Sequence, residues 1–98
     1  MSIYYISIGN SDDKLSQREW SSFIEDVDIV VKNYHVHGRW FSEPSVPWQS
    51  GCWCVEAPEY AFSGLRPVLA LLADRYQQNS IAIAVAATEL VAPERPVP

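Results

Sequence analysis

The feature that most constrains this chain is the segment 34–56, which has the pattern of a long β-hairpin. Two stretches of alternating side chains, 34–41 and 51–56, flank a connection, 42–50, that contains prolines and a tryptophan. Because alternate side chains of a strand share a face, each stretch should have one apolar and one polar or reactive face. The polar or reactive face is expected to carry His35, His37, Arg39, Cys52, Cys54 and Glu56.

A helix is predicted on each side of this hairpin. Before it, Ser16 and Glu19 have the spacing of a capping box, and an apolar stripe follows at intervals of three and four residues. After it, a second stripe runs from Leu65 to Tyr76, and Pro67 must lie in the first turn because deeper in a helix it would clash. The two stripes are Trp20, Phe23, Ile24, Val27, Val30 and Val31, and Leu65, Val68, Leu69, Leu72 and Tyr76.

The two ends of the chain predict two more strands. The segment 3–8 is β-branched and aromatic, and 81–86 alternates large and small apolar side chains. The resulting order, β-α-β-β-α-β, predicts an α+β fold with both helices on one face of a four-stranded antiparallel sheet, the ferredoxin-like arrangement. We expect a single domain over residues 1–91, followed by a flexible proline-rich tail at 92–98.

The hairpin register decides which side chains lie under the helices. Pairing Trp40 with Trp53 would bury both rings and would set Arg39 opposite Cys54 and His37 opposite Glu56. A shift of one residue would turn the cysteines inward instead. The face expected to remain uncovered carries Tyr5, Ser7, His35, His37, Arg39, Cys52, Cys54, Glu56, Ala82, Ala84 and Ala86.

Charge and composition exclude several classes of partner. The formal net charge is −5, and a protein that tracks nucleic-acid phosphates or an anionic membrane needs a basic surface. Two cysteines separated by one residue do not form a secreted disulfide framework, and residues 1–6 lack the basic and apolar regions of a signal peptide. We therefore predict a cytoplasmic protein that binds neither nucleic acid nor membrane and uses no cofactor.

A protein interface is the function that the uncovered face predicts best. Alanines on the last strand allow close approach of a partner, and aromatic, histidine and arginine side chains are common at interfaces. The partner is expected to be another protein or a second copy of the chain. The predicted contact residues are Tyr5, His35, His37, Arg39 and Glu56 on the sheet and Trp48 in the 42–50 loop, where the tryptophan either binds a partner or folds back onto the core.

An alternative uses the same surface as a metal site or a small hydrolase. His35, His37, Cys52 and Cys54 are ligand types that suit zinc, although their spacing is not that of a standard structural site. A cysteine nucleophile would need a nearby base such as His37. The turn segment 9–13 could hold a phosphate or a cation, but turn and helix-cap roles explain it better. No catalytic residue is predicted, and we expect a protein without enzymatic activity.

Three segments carry a resemblance to known sequences: 4–15 (YYISIGNSDDKL), 37–42 (HGRWFS) and 52–54 (CWC). Together they resemble small uncharacterised proteins of actinobacteria and their phages, over most of the chain apart from the tail. The resemblance implies a cytoplasmic bacterial or phage protein that binds a host or partner protein. It carries no activity, and therefore no catalytic residue, over to this chain.

Overall fold

The described part of the chain forms four strands and three helical segments. The computed structural model describes residues 1–10, 14–43 and 45–95. Its elements are β1 (Ser2–Gly9), α1 (Gln17–Val31), β2 (His35–Phe41), β3 (Ser50–Ala57), α2 (Glu59–Ser63), α3 (Leu65–Arg75) and β4 (Ala82–Ala86). The α+β class and the antiparallel sheet predicted from the sequence are confirmed.

The sheet has the strand order β2-β3-β1-β4, and every neighbouring pair is antiparallel. The hairpin strands β2 and β3 are adjacent, whereas β1 lies between β3 and β4. Ile6 is opposite both Trp53 and Ile83, and Tyr5 is opposite both Cys54 and Ala84. The alternation predicted for the three strands β1, β3 and β4 therefore holds.

The start of α1 is fixed by the predicted capping box. The Glu19 N–H donates to Ser16 Oγ at 3.1 Å, and the Ser16 N–H donates to Glu19 Oε1 at 3.0 Å. Hydrogen bonds to the Ser16 backbone and hydroxyl lower the pKa of Glu19, because they favour its charged form. The helix buries Trp20, Phe23, Val27 and Val31.

The second helical region is divided in two, which the sequence did not predict. Pro58 precedes a short helix, α2, and Gly64 separates α2 from α3. Pro67 is the third residue of α3, in the first turn as expected. After α3, the backbone of Gln77 adopts a left-handed conformation with φ of 54°, and β4 begins at Ala82.

A single apolar core lies between the helices and one face of the sheet. Trp53 is completely buried at its centre. Tyr4 of β1 stacks on Phe62 of α2 with ring centroids 3.6 Å apart, and Phe23 of α1 stacks on Tyr76 at 4.6 Å. Because α1, α2 and α3 all contribute to this one cluster, they cover the same side of the sheet.

The opposite side of the sheet is not covered by any described segment. Residues 87–95, which follow β4, lie outside regular structure and are exposed throughout. The end of the predicted tail, 96–98, lies outside the described residues, as do 11–13 and residue 44. We call this uncovered side the open face; its side chains are Ile3, Tyr5, Ser7, His35, His37, Trp40, Cys52, Cys54, Glu56, Ala82, Ala84 and Ala86.

Candidate functional site

A β-bulge in β2 determines what the open face contains. Val36 is opposite Val55, but the next paired residue, Gly38, is opposite Cys54, so His37 is an extra residue without a partner of its own. An extra residue reverses the faces of the side chains that follow it. The predicted register is therefore wrong beyond Val36: Trp40 lies opposite Cys52, not Trp53.

Trp40 consequently lies on the open face, although it was predicted to be in the core. Its side chain is 54% exposed. The indole packs over Gly38, where an added Cβ would lie 3.6 Å from the ring. The sequence contained one signal for this arrangement, because a glycine inside a strand often marks a bulge.

Arg39 lies on the helix side and not on the open face, which corrects its predicted position. It is opposite Trp53 in the sheet, and its guanidinium pairs with the Asp28 carboxylate of α1. The same carboxylate accepts a hydrogen bond of 2.7 Å from Trp53 Nε1. The Arg39 guanidinium also lies 5.3 Å from the centre of the Phe41 ring. These contacts give Arg39 a role in joining β2 to α1.

His35, His37 and Glu56 form a polar cluster at one end of the open face. His35 is opposite Glu56, and the bulge brings His37 Nε2 to 2.7 Å from Glu56 Oε1. The two imidazole rings meet edge to face with centroids 4.4 Å apart. All three were predicted for this face, and His37 contacts Glu56 as expected although the strand register differs.

The centre of the open face is formed by Tyr5 and the cysteines. Tyr5 is 37% exposed, whereas Cys54 beside it is buried and Cys52 is half-buried. A hydrogen bond with the Cys54 side chain raises the pKa of the Tyr5 hydroxyl, because it stabilises the protonated phenol. Both cysteines are free thiols that point away from the helices, as predicted.

The four candidate ligands of the alternative function are not brought together in one group. No group of three or more histidine, cysteine, aspartate or glutamate side chains in the described residues is arranged to hold an ion. The two histidines gather around Glu56, while Cys54 lies opposite Gly38 and Cys52 opposite Trp40. The cluster of His35, His37, Cys52 and Cys54 that supported the alternative function is therefore not assembled.

The loop between β2 and β3 presents Trp48 to solvent. Its base is closed by a hydrogen bond of 2.9 Å from the Ser42 N–H to the Ser50 carbonyl oxygen. The adjacent Gln49 is held by the Asn10 N–H, which donates to its carbonyl oxygen at 2.8 Å. Trp48 itself is 57% exposed, so it does not fold back to seal the core.

The turn after β1 has a structural role in its described part. Asn10 is buried, and its side-chain oxygen accepts from the Leu15 N–H while its amide donates to the Leu15 carbonyl, both at 3.0 Å. This closes the turn from β1 into α1. The remaining residues of the segment considered for phosphate or cation binding, 11–13, lie outside the described residues.

Comparison with known proteins gives no indication of what this site does. No protein-family model, curated protein or solved structure matches the chain. Among the described residues, no helix combines the length and the apolar character needed to cross a bilayer.

Proposed function

We propose that this protein acts by binding another protein chain through its open face, with Trp40 as the apolar anchor. The observation that carries the proposal is a tryptophan 54% exposed in a strand, on a side of the sheet that no described segment covers. Tryptophan is among the residue types that contribute most to affinity at protein interfaces. Covering this ring with a partner would remove a large apolar area from water.

The other side chains of the open face are of the kinds that surround an apolar anchor at a protein interface. His35, His37 and Glu56 are polar and reach solvent at one end of the face. Tyr5 offers a ring with a hydroxyl tip, a combination suited to a surface that is partly buried on binding. Trp48 is a second candidate anchor, on the 42–50 loop.

A protein partner explains this surface better than a nucleic acid does. Aromatic and histidine side chains on a sheet can stack on bases, and the open face has both. Within the described residues, however, it carries no lysine or arginine, because the bulge turns Arg39 to the helix side. With a net charge of −5, the chain lacks the phosphate contacts that supply most nucleic-acid affinity.

A binding role also explains the surface better than catalysis does. The only histidine–carboxylate contact of the described face, His37 with Glu56, is exposed to solvent. Cys54 is buried beside Tyr5, where an attacking thiolate would have little access.

Affinity capture with matched variants tests this function. The immobilised wild-type chain, Trp40→Ala, and Tyr60→Ala as control are each exposed to a lysate of the source organism. Tyr60 is an aromatic residue 83% exposed on α2, away from the open face. We expect a partner that the wild type and Tyr60→Ala retain and that Trp40→Ala loses. Titration of the purified partner should then show affinity for Trp40→Ala reduced by roughly thirtyfold, since a hot-spot tryptophan contributes about 2 kcal/mol or more.

Two results would contradict the proposal. One is a partner that Trp40→Ala binds as tightly as the wild type does, because binding would then use another surface. The other is the absence of any protein retained by the wild type but not by Trp40→Ala. Equal thermal unfolding of the three chains establishes that the comparison is between folded proteins.

We also propose that the fold is ferredoxin-like and that the protein is of bacterial or phage origin, as the sequence indicates. β3 lies between β1 and β2, the strands that α1 connects, and β1 lies between β3 and β4, the strands that α2 and α3 connect. Two such split β-α-β units support the ferredoxin-like description. The resemblance to proteins of actinobacteria and their phages supports a cytoplasmic bacterial or phage protein with a protein partner.

A further inference from the structure

The two edges of the sheet differ in how well they are protected against pairing with another strand. β2 is interrupted by the bulge at His37 and carries Arg39 and two histidines, which are features that discourage edge pairing. β4 consists of Ala82-Ile83-Ala84-Val85-Ala86, without a charge, proline, glycine or register shift. Within the described chain β4 pairs only with β1, so its outer backbone groups have no strand partner.

We propose that β4 pairs antiparallel with β4 of a second copy, forming a symmetric dimer with one continuous sheet. A two-fold axis at Ala84 would place Ala82 opposite Ala86 of the second copy, and Ile83 opposite its Val85. Small residues then face small residues, and branched residues face branched ones. Val85, which is 60% exposed, would be covered by the second copy's Ile83.

The helix beside β4 supports the same symmetry. α3, β4 and the segment that joins them enclose a groove of about 400 Å³, with Ala70 and Ala73 on its helical wall and Ile81 and Ile83 on the opposite wall. In the proposed dimer the α3 helices of the two copies lie antiparallel on the same side of the joined sheet. The two small side chains allow the helices to approach, and the groove becomes closed.

Charges on α3 make this approach self-complementary. Arg66 and Asp74 both line the groove and lie four residues on either side of Ala70. They are about 12 Å apart along their own helix, too far to pair with each other. A two-fold axis at Ala70 would set each Arg66 near Asp74 of the second copy. Neither side chain has an ion pair within the described residues; the Arg66 guanidinium lies 5.4 Å from the centre of the Phe62 ring of its own chain, a contact that leaves its charge uncompensated.

This interface is distinct from the proposed function, because it uses the β4 edge and α3 and leaves the histidine cluster and Trp40 free. Sedimentation equilibrium over a wide concentration range tests it with Arg66→Asp, Asp74→Arg and an equimolar mixture of the two. Arg18→Asp on α1 is the control, since it makes the same change in charge at an exposed position outside the groove. Circular dichroism establishes that each chain is folded.

We expect the wild type and Arg18→Asp to have twice the mass of one chain. Each single reversal on α3 replaces two attractive contacts by two repulsive ones, which should raise the dimer dissociation constant by roughly thirtyfold. The mixture should recover the dimer, because every charge then again faces its opposite. A monomeric wild type would overturn the proposal, as would folded single variants that dimerise like the wild type or a mixture that remains monomeric.

Discussion

At the scale of single residues, Asp28 joins three elements of the fold, α1, β2 and β3. It lies on α1, accepts from the indole of Trp53 on β3, and pairs with Arg39 on β2. Its position lies off the apolar stripe of α1, where a carboxylate is usually solvated. Its side chain is 35% exposed, yet one of its oxygens accepts a hydrogen bond from the indole of Trp53, which is completely buried.

We expect Asp28→Ala to lower the free energy of unfolding by about 2 kcal/mol, because it leaves the buried Trp53 N–H without an acceptor. Asp28→Asn keeps an oxygen in place and should cost about half as much. Urea denaturation measures both. Glu25→Ala, an exposed carboxylate on the same helix, serves as control and should change stability by less than about 0.5 kcal/mol. Equal stabilities of Asp28→Ala and Glu25→Ala would show that the indole contact contributes nothing.

The contact between Tyr76 and Asp26 should make stability depend on alkaline pH. The Tyr76 hydroxyl donates to Asp26 Oδ2 at 2.5 Å, and burial, followed by this hydrogen bond and the Asp26 charge, raises the pKa of Tyr76 to about 12. The unfolded chain releases this proton near pH 10. The stability that this contact gives to the folded chain is therefore complete below about pH 10 and is lost as the pH rises towards 12.

The stability difference between the wild type and Tyr76→Phe should therefore shrink over this interval. Chemical denaturation at a series of pH values measures this difference. Subtracting the free energy of unfolding of Tyr76→Phe from that of the wild type at each pH removes the effect of other titrating groups. Tyr60→Phe, at an exposed position, should follow the wild type at every pH. A constant difference up to pH 12 would show that the hydroxyl is not held as described.

At the scale of elements, periodicity predicted the helices and strands but not the irregular junctions. The capping box at Ser16 and the alternation in β1, β3 and β4 depend on local patterns, which a sequence shows directly. The bulge at His37 depends on how β2 fits its neighbour, and only Gly38 hinted at it. Consequently Trp40 and Arg39 were assigned to each other's faces.

The second unpredicted junction is the break at Gly64. The sequence predicted a helix whose apolar stripe begins at Leu65, but not that the residues before Gly64 would form a helical turn of their own. Phe62 explains the extra turn, because stacking on Tyr4 at 3.6 Å holds α2 against the sheet. A tertiary contact of this kind leaves no local periodic signal.

Removal of the α1 cap should destabilise the whole domain, since α1 supplies a large share of the core. Ser16→Ala deletes the acceptor of the Glu19 N–H and should lower the free energy of unfolding by about 1 kcal/mol. Ser21→Ala, an exposed serine inside the same helix, is the matched control and should be neutral or slightly stabilising. Thermal and urea unfolding of the three chains measure the effect, and equal losses for both variants would contradict a capping role.

At the scale of the whole molecule, charge and open surface together limit the partners available. The chain is acidic, and the described open face combines aromatic rings and imidazoles with a single carboxylate from Glu56. Such a surface can bind an apolar or mildly basic protein surface. The proposed dimer would place two open faces on one side of a longer sheet, so a partner with two-fold symmetry would be bound at two points.

We expect no binding of single-stranded RNA or DNA oligonucleotides at physiological salt. The reason is the missing counterion-release contribution, which requires lysine or arginine contacts to phosphates. Fluorescence anisotropy with labelled oligonucleotides of mixed sequence measures this. A chain with the substitutions Glu56→Lys and Ala84→Lys, which add positive charge to the open face, is the comparison and should bind with strong salt dependence. Submicromolar binding by the wild type would refute the assignment of a protein partner.

The unpaired residue in β2 has a consequence for how such a chain can change over generations. An in-frame deletion of the His37 codon would remove only the extra residue, so Gly38, Arg39 and Trp40 would keep their partners on β3. The indole would stay outward and the guanidinium inward, and the open face would lose one imidazole. A length change within a strand normally exchanges its two faces and is harmful, but at this position of β2 it would leave both faces intact.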